Sequence, residues 1–171
     1  MVVQASKSLI VDLKARLAQI ERGRVRFCAH PNLDDPIHEM LIALSRAVYI
    51  RPHSHPGKSE SFHAIEGEAD VVIFNDQGDI DNVIRMGAYS SARVFYYRLR
   101  SPLFHTVVVR SDVFVVHETT HGPFRPEDTV FAPWAPEETT CSAVEAYVKN
   151  LDKKISRFAG DSTRGSHPLE K

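Results

Sequence analysis

Residues 51–67 read Arg51-Pro52-His53-Ser54-His55-Pro56-Gly57-Lys58-Ser59-Glu60-Ser61-Phe62-His63-Ala64-Ile65-Glu66-Gly67. In an extended chain successive side chains point to opposite faces, so residues two apart share one. His53 and His55 therefore present two imidazoles to the same point. The stretch from Pro56 to Ser59 has turn chemistry: proline presets φ and glycine tolerates conformations other residues avoid. The chain can reverse there and bring Glu60 back on the next strand. Two neutral imidazoles and one carboxylate are the beginnings of a divalent-metal site, which one more ligand would close or nearly close. The same alternation puts Tyr49 and Arg51 on the face of His53 and His55. It turns His63 away from Glu60, which leaves His63 outside the ligand set.

The spacing HxH-x4-E-x6-G, ending at Gly67, resembles the first motif of the cupin superfamily. A second motif follows in that superfamily as a proline and then a histidine opening a strand, and Pro102-Leu103-Phe104-His105-Thr106-Val107 matches it. The glycine usual between the two is absent, Leu103 and Phe104 standing there, and Val109 occupies the usual asparagine position. The resemblance implies His105 as the fourth ligand and an all-β fold. That fold is a single-domain cupin double-stranded β-helix, or jelly-roll barrel, with flanking helices at both ends. Residues 30–67, His105-Thr106-Val107, Gly122-Pro123-Phe124 and Phe131-Ala132-Pro133-Trp134-Ala135-Pro136-Glu137 together are similar to the WbuC family of cupin-fold metalloproteins. That family is associated with bacterial surface-polysaccharide (O-antigen) biosynthesis. The likeness implies an enzyme acting on a sugar or nucleotide-sugar, by isomerisation, epimerisation or a related step.

Three imidazoles and a carboxylate suit one divalent transition metal: Fe, Mn, Zn, Ni or Co. Two other functions fit the same ligands. One is a non-catalytic module that binds metal and a small molecule; the other is an Fe(II)-dependent dioxygenase on a small substrate. The catalytic candidates are Tyr49 and Arg51, by strand parity, and Glu118. Glu118 ends an expected strand beside His117, and one of that pair faces the cavity. Arg51 has the planar fork that grips a carboxylate or phosphate.

The chain has 171 residues and a net charge of −1, which suits one domain and argues against a polyanion-binding protein. Arginines at 93, 98, 100 and 110 alternate with apolar residues, as on strands with one solvated face. Two cysteines, Cys28 and Cys141, show no zinc-ribbon spacing and fit a reduced compartment. No signal-peptide pattern or membrane-length apolar run is evident. The expectation is a cytoplasmic protein with a small-molecule partner, no nucleic acid and no membrane.

Leu9, Ile10, Leu13, Leu17 and Ile20 recur at helical spacing and predict a helix over 6–21. Asp35 and Pro36 have the chemistry of a helix start, and Ile37, Met40, Leu41 and Leu44 predict a second helix over 36–45. A strand over 47–55 follows. Further strands are expected over 62–66, 69–74, 80–86, 94–99, 105–109 and 113–118. Residues 119–138, with Phe124, Phe131 and Trp134, read as an ordered excursion, and 139–154 as a helix. The organisation expected is a helical extension (1–46), the barrel (47–150), and a helix end with a mobile tail (151–171). Several strands are apolar on both faces, which predicts cover by the helices or by a second copy in a homodimer.

Overall fold

The computed structural model describes residues 2–20 and 23–162. Of the C-terminal segment 151–171, residues up to Ser162 continue the helix past the expected end at 154, and residues 163–171 lie outside the described residues. Two antiparallel five-stranded sheets face one another across the main core. The first runs β1 (Arg24–Cys28), β2 (Ile37–Ser45), β9 (Val113–His121), β4 (Glu60–Glu66), β7 (Tyr96–Leu99). The second runs β10 (Val130–Phe131), β3 (His53–Ser54), β8 (Phe104–Val109), β5 (Glu68–Phe74), β6 (Ile80–Gly87). Helix α1 (Lys7–Leu17) and helix α2 (Cys141–Ser162) complete the fold.

The helix expected over 36–45 is strand β2, a correction with a clear physical cause. β2 lies between β1 and β9 and is covered on both faces from Met40 to Leu44. Met40, Ile42 and Leu44 point into the inter-sheet core, while Ala43 and Leu41 pack beneath α1. A strand covered on both sides is an almost continuous apolar run, and such a run also satisfies a helical stripe. Asp35 does not cap a helix: its Oδ1 accepts a hydrogen bond from the Ile37 N–H at 2.9 Å, an Asx turn that launches the strand. The strand expected over 47–55 is reduced to its last part, β3, and the preceding residues cross from one sheet to the other.

The doubly apolar strands find their cover within the chain. Leu13 and Leu17 of α1 are fully buried against Val25, Ala43 and Val115. Leu151 and Ile155 of α2 close over Val72 and Phe74, joined by Trp134 and Tyr147. Burying each such side chain contributes about 1.5–3 kcal/mol, enough to hold α1, which is only eleven residues long. Gly67, with φ +81°, makes the turn from β4 to β5, where a Cβ would run into the Val113 carbonyl.

Candidate metal centre

The site lies between the sheets because each contributes to it. On the second sheet β3 pairs with β8 in a register that sets His53 directly opposite His105. β10 flanks β3 on its other side, with Phe131 opposite His53. The turn after β3 carries His55, and the return strand β4 on the first sheet opens with Glu60. The ligand atoms of His53, His55 and His105 all lie within 4.8 Å of one another. Glu60 joins them: its Oε1 is 3.1 Å from His105 Nε2 and its Oε2 is 3.7 Å from His55 Nε2. All four residues line one cavity of about 350 Å³.

The second nitrogen of each ring is already committed. His53 Nδ1 lies 2.8 Å from the Arg51 carbonyl, His105 Nδ1 3.0 Å from the Leu103 carbonyl, and His55 Nδ1 3.4 Å from the Asp128 carbonyl. A carbonyl only accepts, so each Nδ1 carries the proton and Nε2 is the nitrogen left to bind a cation. Burial lowers the pKa of His53 to about 4, aided by the neighbouring His105, and burial also lowers that of His55. Both rings are therefore neutral, as metal ligation requires. Burial pushes Glu60 upward, but the charge and hydrogen bond of His105 and the other imidazoles outweigh it and hold the carboxyl down to about 2. Burial pulls His105 down, and the charge and hydrogen bond of Glu60 override it, so its pKa is raised. Without a cation, Glu60 and His105 are thus a buried ion pair. This donor set of imidazoles and carboxylate fits a divalent transition metal.

The other candidates separate. Arg51 lines the cavity: its Nη2 donates to the Ala132 carbonyl at 3.3 Å, and its guanidinium lies over the Phe131 ring at 5.1 Å. Glu137 is 4.0 Å from its Nη1, so Arg51 is at once a rim ion pair and a cavity wall. Glu118 also faces the cavity. Burial and the charge of Glu60 push its carboxyl up to about 8, against the pull of Arg26, His105 and Arg24. His117 points to the other face, 3.8 Å from Glu39. Tyr49 does not reach the cavity, because the chain before His53 is not strand and the parity fails there. Its hydroxyl donates to the Pro136 carbonyl at 3.0 Å and its ring meets Tyr147 edge-on, so burial raises it to about 12. His63 is exposed and packs on Phe95, on the face away from Glu60.

Three residues near the centre were not anticipated. Tyr97 donates its hydroxyl to Glu60 Oε1 at 3.0 Å. Arg24 and Arg26 of β1 stand in the cavity wall. The excursion after β9 closes the site from outside: Lys58 bonds Asp128 at 2.7 Å and the Pro123 carbonyl at 2.6 Å, and Phe124, Thr129 and Phe131 line the cavity.

A family described as a domain of unknown function (DUF6016) matches residues 5–86. No curated protein matches. Among solved structures, protein SO0799 from Shewanella oneidensis superposes with a TM-score of 0.57 at 10% identity, covering 89% of this chain and 97% of that one. The fold is that of a cupin. An oxalate decarboxylase mutant from Bacillus subtilis aligns at 17% identity and TM-score 0.48, covering 66% of this chain and 29% of that one. The aligned region thus spans under a third of that oxalate decarboxylase chain. At these identities the likeness concerns the fold alone. Among the described residues, no helix is long and apolar enough to cross a membrane.

Proposed function

We propose that the protein is a divalent-metal-dependent cupin enzyme acting on a small sugar or nucleotide-sugar in surface-polysaccharide synthesis, with His53, His55, Glu60 and His105 as ligands. The observation that carries the metal is the convergence of three imidazoles, each with Nδ1 tied to a carbonyl, beside a buried carboxylate in one cavity. The similarity of residues 131–137 and the paired motifs to the WbuC family supports the sugar. A metal held by His53, His55, Glu60 and His105 would supply the Lewis acidity to polarise a carbonyl or activate a water.

The protein's own groups have distinct parts. Tyr97 donates its hydroxyl to Glu60 Oε1 and fixes the orientation of its carboxylate. In the metal-free protein burial and the charge of Glu60 keep a proton on Glu118 at neutral pH, and a carboxyl facing the cavity there can serve as general acid or base. Phe124 and Phe131 limit water around the site. A group poised to exchange a proton favours an enzyme over a module that only binds. The test is elemental analysis of protein purified from its own host, followed by incubation with a panel of sugar phosphates and nucleotide-sugars and mass-spectrometric detection of product. A stoichiometric transition metal and a Glu118-dependent product are expected. Absence of bound metal after purification and reloading refutes the metal; metal with binding but no product makes the protein a binding module.

A further inference from the structure

The alternation of β1 is dictated by α1. Val25 and Phe27 pack with Leu13 and Leu17, so Arg24 and Arg26 must stand on the opposite face. That face forms the wall of the cavity holding the imidazole cluster. Their partners across β2 are Leu44 and Ile42, which bring no charge. Among the described residues, neither guanidinium makes a hydrogen bond or an ion pair. Arg51 contributes a third guanidinium from the other side of the same cavity. Arg26 also lines a neighbouring chamber of about 180 Å³ with Arg125 and Lys58. Lys58 is already taken by Asp128 at 2.7 Å.

Unpaired arginines are ordinary on open surface. Here two of them share one face of a concave, mostly apolar wall, where positive potential is concentrated and a bound anion loses water. The planar fork of arginine matches the oxygens of phosphate and carboxylate. Glu118 lies within the influence of both side chains but does not bond them. Arg24 and Arg26 are exposed and share the cavity with the more deeply buried imidazole cluster, so an elongated molecule with one charged end can meet both.

We propose that Arg24 and Arg26 form an anion subsite that takes the phosphate or carboxylate of a small hydroxylated substrate whose other end faces the imidazole cluster. Only the second half of that statement rests on the metal-dependent reading above. The test uses the full chain, with and without bound metal, titrated by calorimetry at low salt with D-glucose 6-phosphate, D-gluconate and D-glucose. At least one of the two anions should bind about tenfold or more tighter than glucose, the scale of one charge-assisted hydrogen bond. The preferred anion distinguishes phosphate from carboxylate. The R24Q/R26Q double variant should lose that advantage while its metal content stays that of the unaltered protein. Equal binding of charged and neutral sugars, or an unchanged advantage in the double variant, overturns the subsite. Retained anion preference in a protein that takes up no metal would sink the metal reading and leave the subsite standing. Phenylglyoxal labelling of the unaltered protein needs no variant: inorganic phosphate should shield Arg24 and Arg26 from modification, and equal labelling with and without phosphate counts against the proposal.

Discussion

Replacing Glu60 by glutamine keeps the shape of the side chain and removes its charge. Glu60 is 5% exposed, and its Oε1 accepts hydrogen bonds from Tyr97 at 3.0 Å and His105 at 3.1 Å. The carboxyl is held at about 2, against 4.5 for an unperturbed glutamate. At 1.36 kcal/mol per unit, that difference corresponds to about 3 kcal/mol of stability in the metal-free protein. The figure agrees with the roughly 3–5 kcal/mol lost when one partner of a buried ion pair is removed. The sign follows from both partners. A depressed carboxylate contributes stability that is present above its unfolded value near 4.5 and is lost as pH falls toward 2. A raised imidazole contributes below its unfolded value near 6.5 and loses it as pH rises through its folded value. The pair therefore counts in full between about pH 4.5 and 6.5. In chelator-treated protein at pH 5.5, Glu60→Gln should lower the Tm by roughly 6–12 °C, taking 2–4 °C per kcal/mol for a chain of this size. For Glu60→Ala the sequence alone predicts a loss confined to the metal-loaded form, because the hydrogen bonds to Tyr97 and His105 are not visible in it. Differential scanning calorimetry of the metal-free pair of proteins decides it. Equal Tm values at pH 5.5 would show that the carboxylate is not bonded as described.

In metal-free protein Glu118→Gln should melt above the unaltered protein at pH 8.5 and level with it near pH 4. A raised carboxyl keeps the folded state protonated where the unfolded state is not, so stability falls as pH rises from about 4.5 to 8. Gly67→Ala should cost about 2 kcal/mol or more in urea unfolding, since φ is +81° and the new Cβ meets the Val113 carbonyl and Ser111. Light scattering at micromolar concentration should give twice 19.3 kDa, and a monomer mass rejects the homodimer. Exposed aromatics open to a second copy are Tyr89, Phe95 and Tyr96, at 78%, 40% and 49%, and Phe124 and Phe131, at 50% and 49%.

The paired motifs place the fold correctly because they combine local periodicity with turn chemistry. Tight turns at Gly57 and Gly67 and β-branched runs such as residues 69–74 are short-range signals, and the structure realises them as turns and as β5. β2 failed for lack of such a signal. Its polar residues are few because α1 covers one face and the inter-sheet core the other, and that cover comes from residues some thirty positions away. With Asp35 and Pro36 ahead of it, the run has no local mark that separates helix from doubly buried strand.

At the metal centre, legibility tracks the distance over which each contact is set. His53, His55 and Glu60 sit within eight residues, and strand parity with one turn is enough to converge them. Strand β3 begins only at His53, so parity guarantees nothing before it: Arg51 still lines the cavity, while the Tyr49 hydroxyl is drawn to Pro136 instead. Tyr97 meets Glu60 through a register between β4 and β7 that sets Phe62 opposite Tyr97 and Glu60 opposite Leu99. Arg24 and Arg26 enter the wall only because β1 pairs with β2 and α1 claims the alternate residues. These contacts depend on which strands neighbour which, and that order is a property of the two-sheet topology rather than of any stretch of chain. The ligand cluster is thus local in sequence, while the groups that orient it and the charges that face a substrate are assembled by strand order. A likeness confined to the ligand motifs therefore says little about what this cavity accepts, and the chemistry of β1 says more.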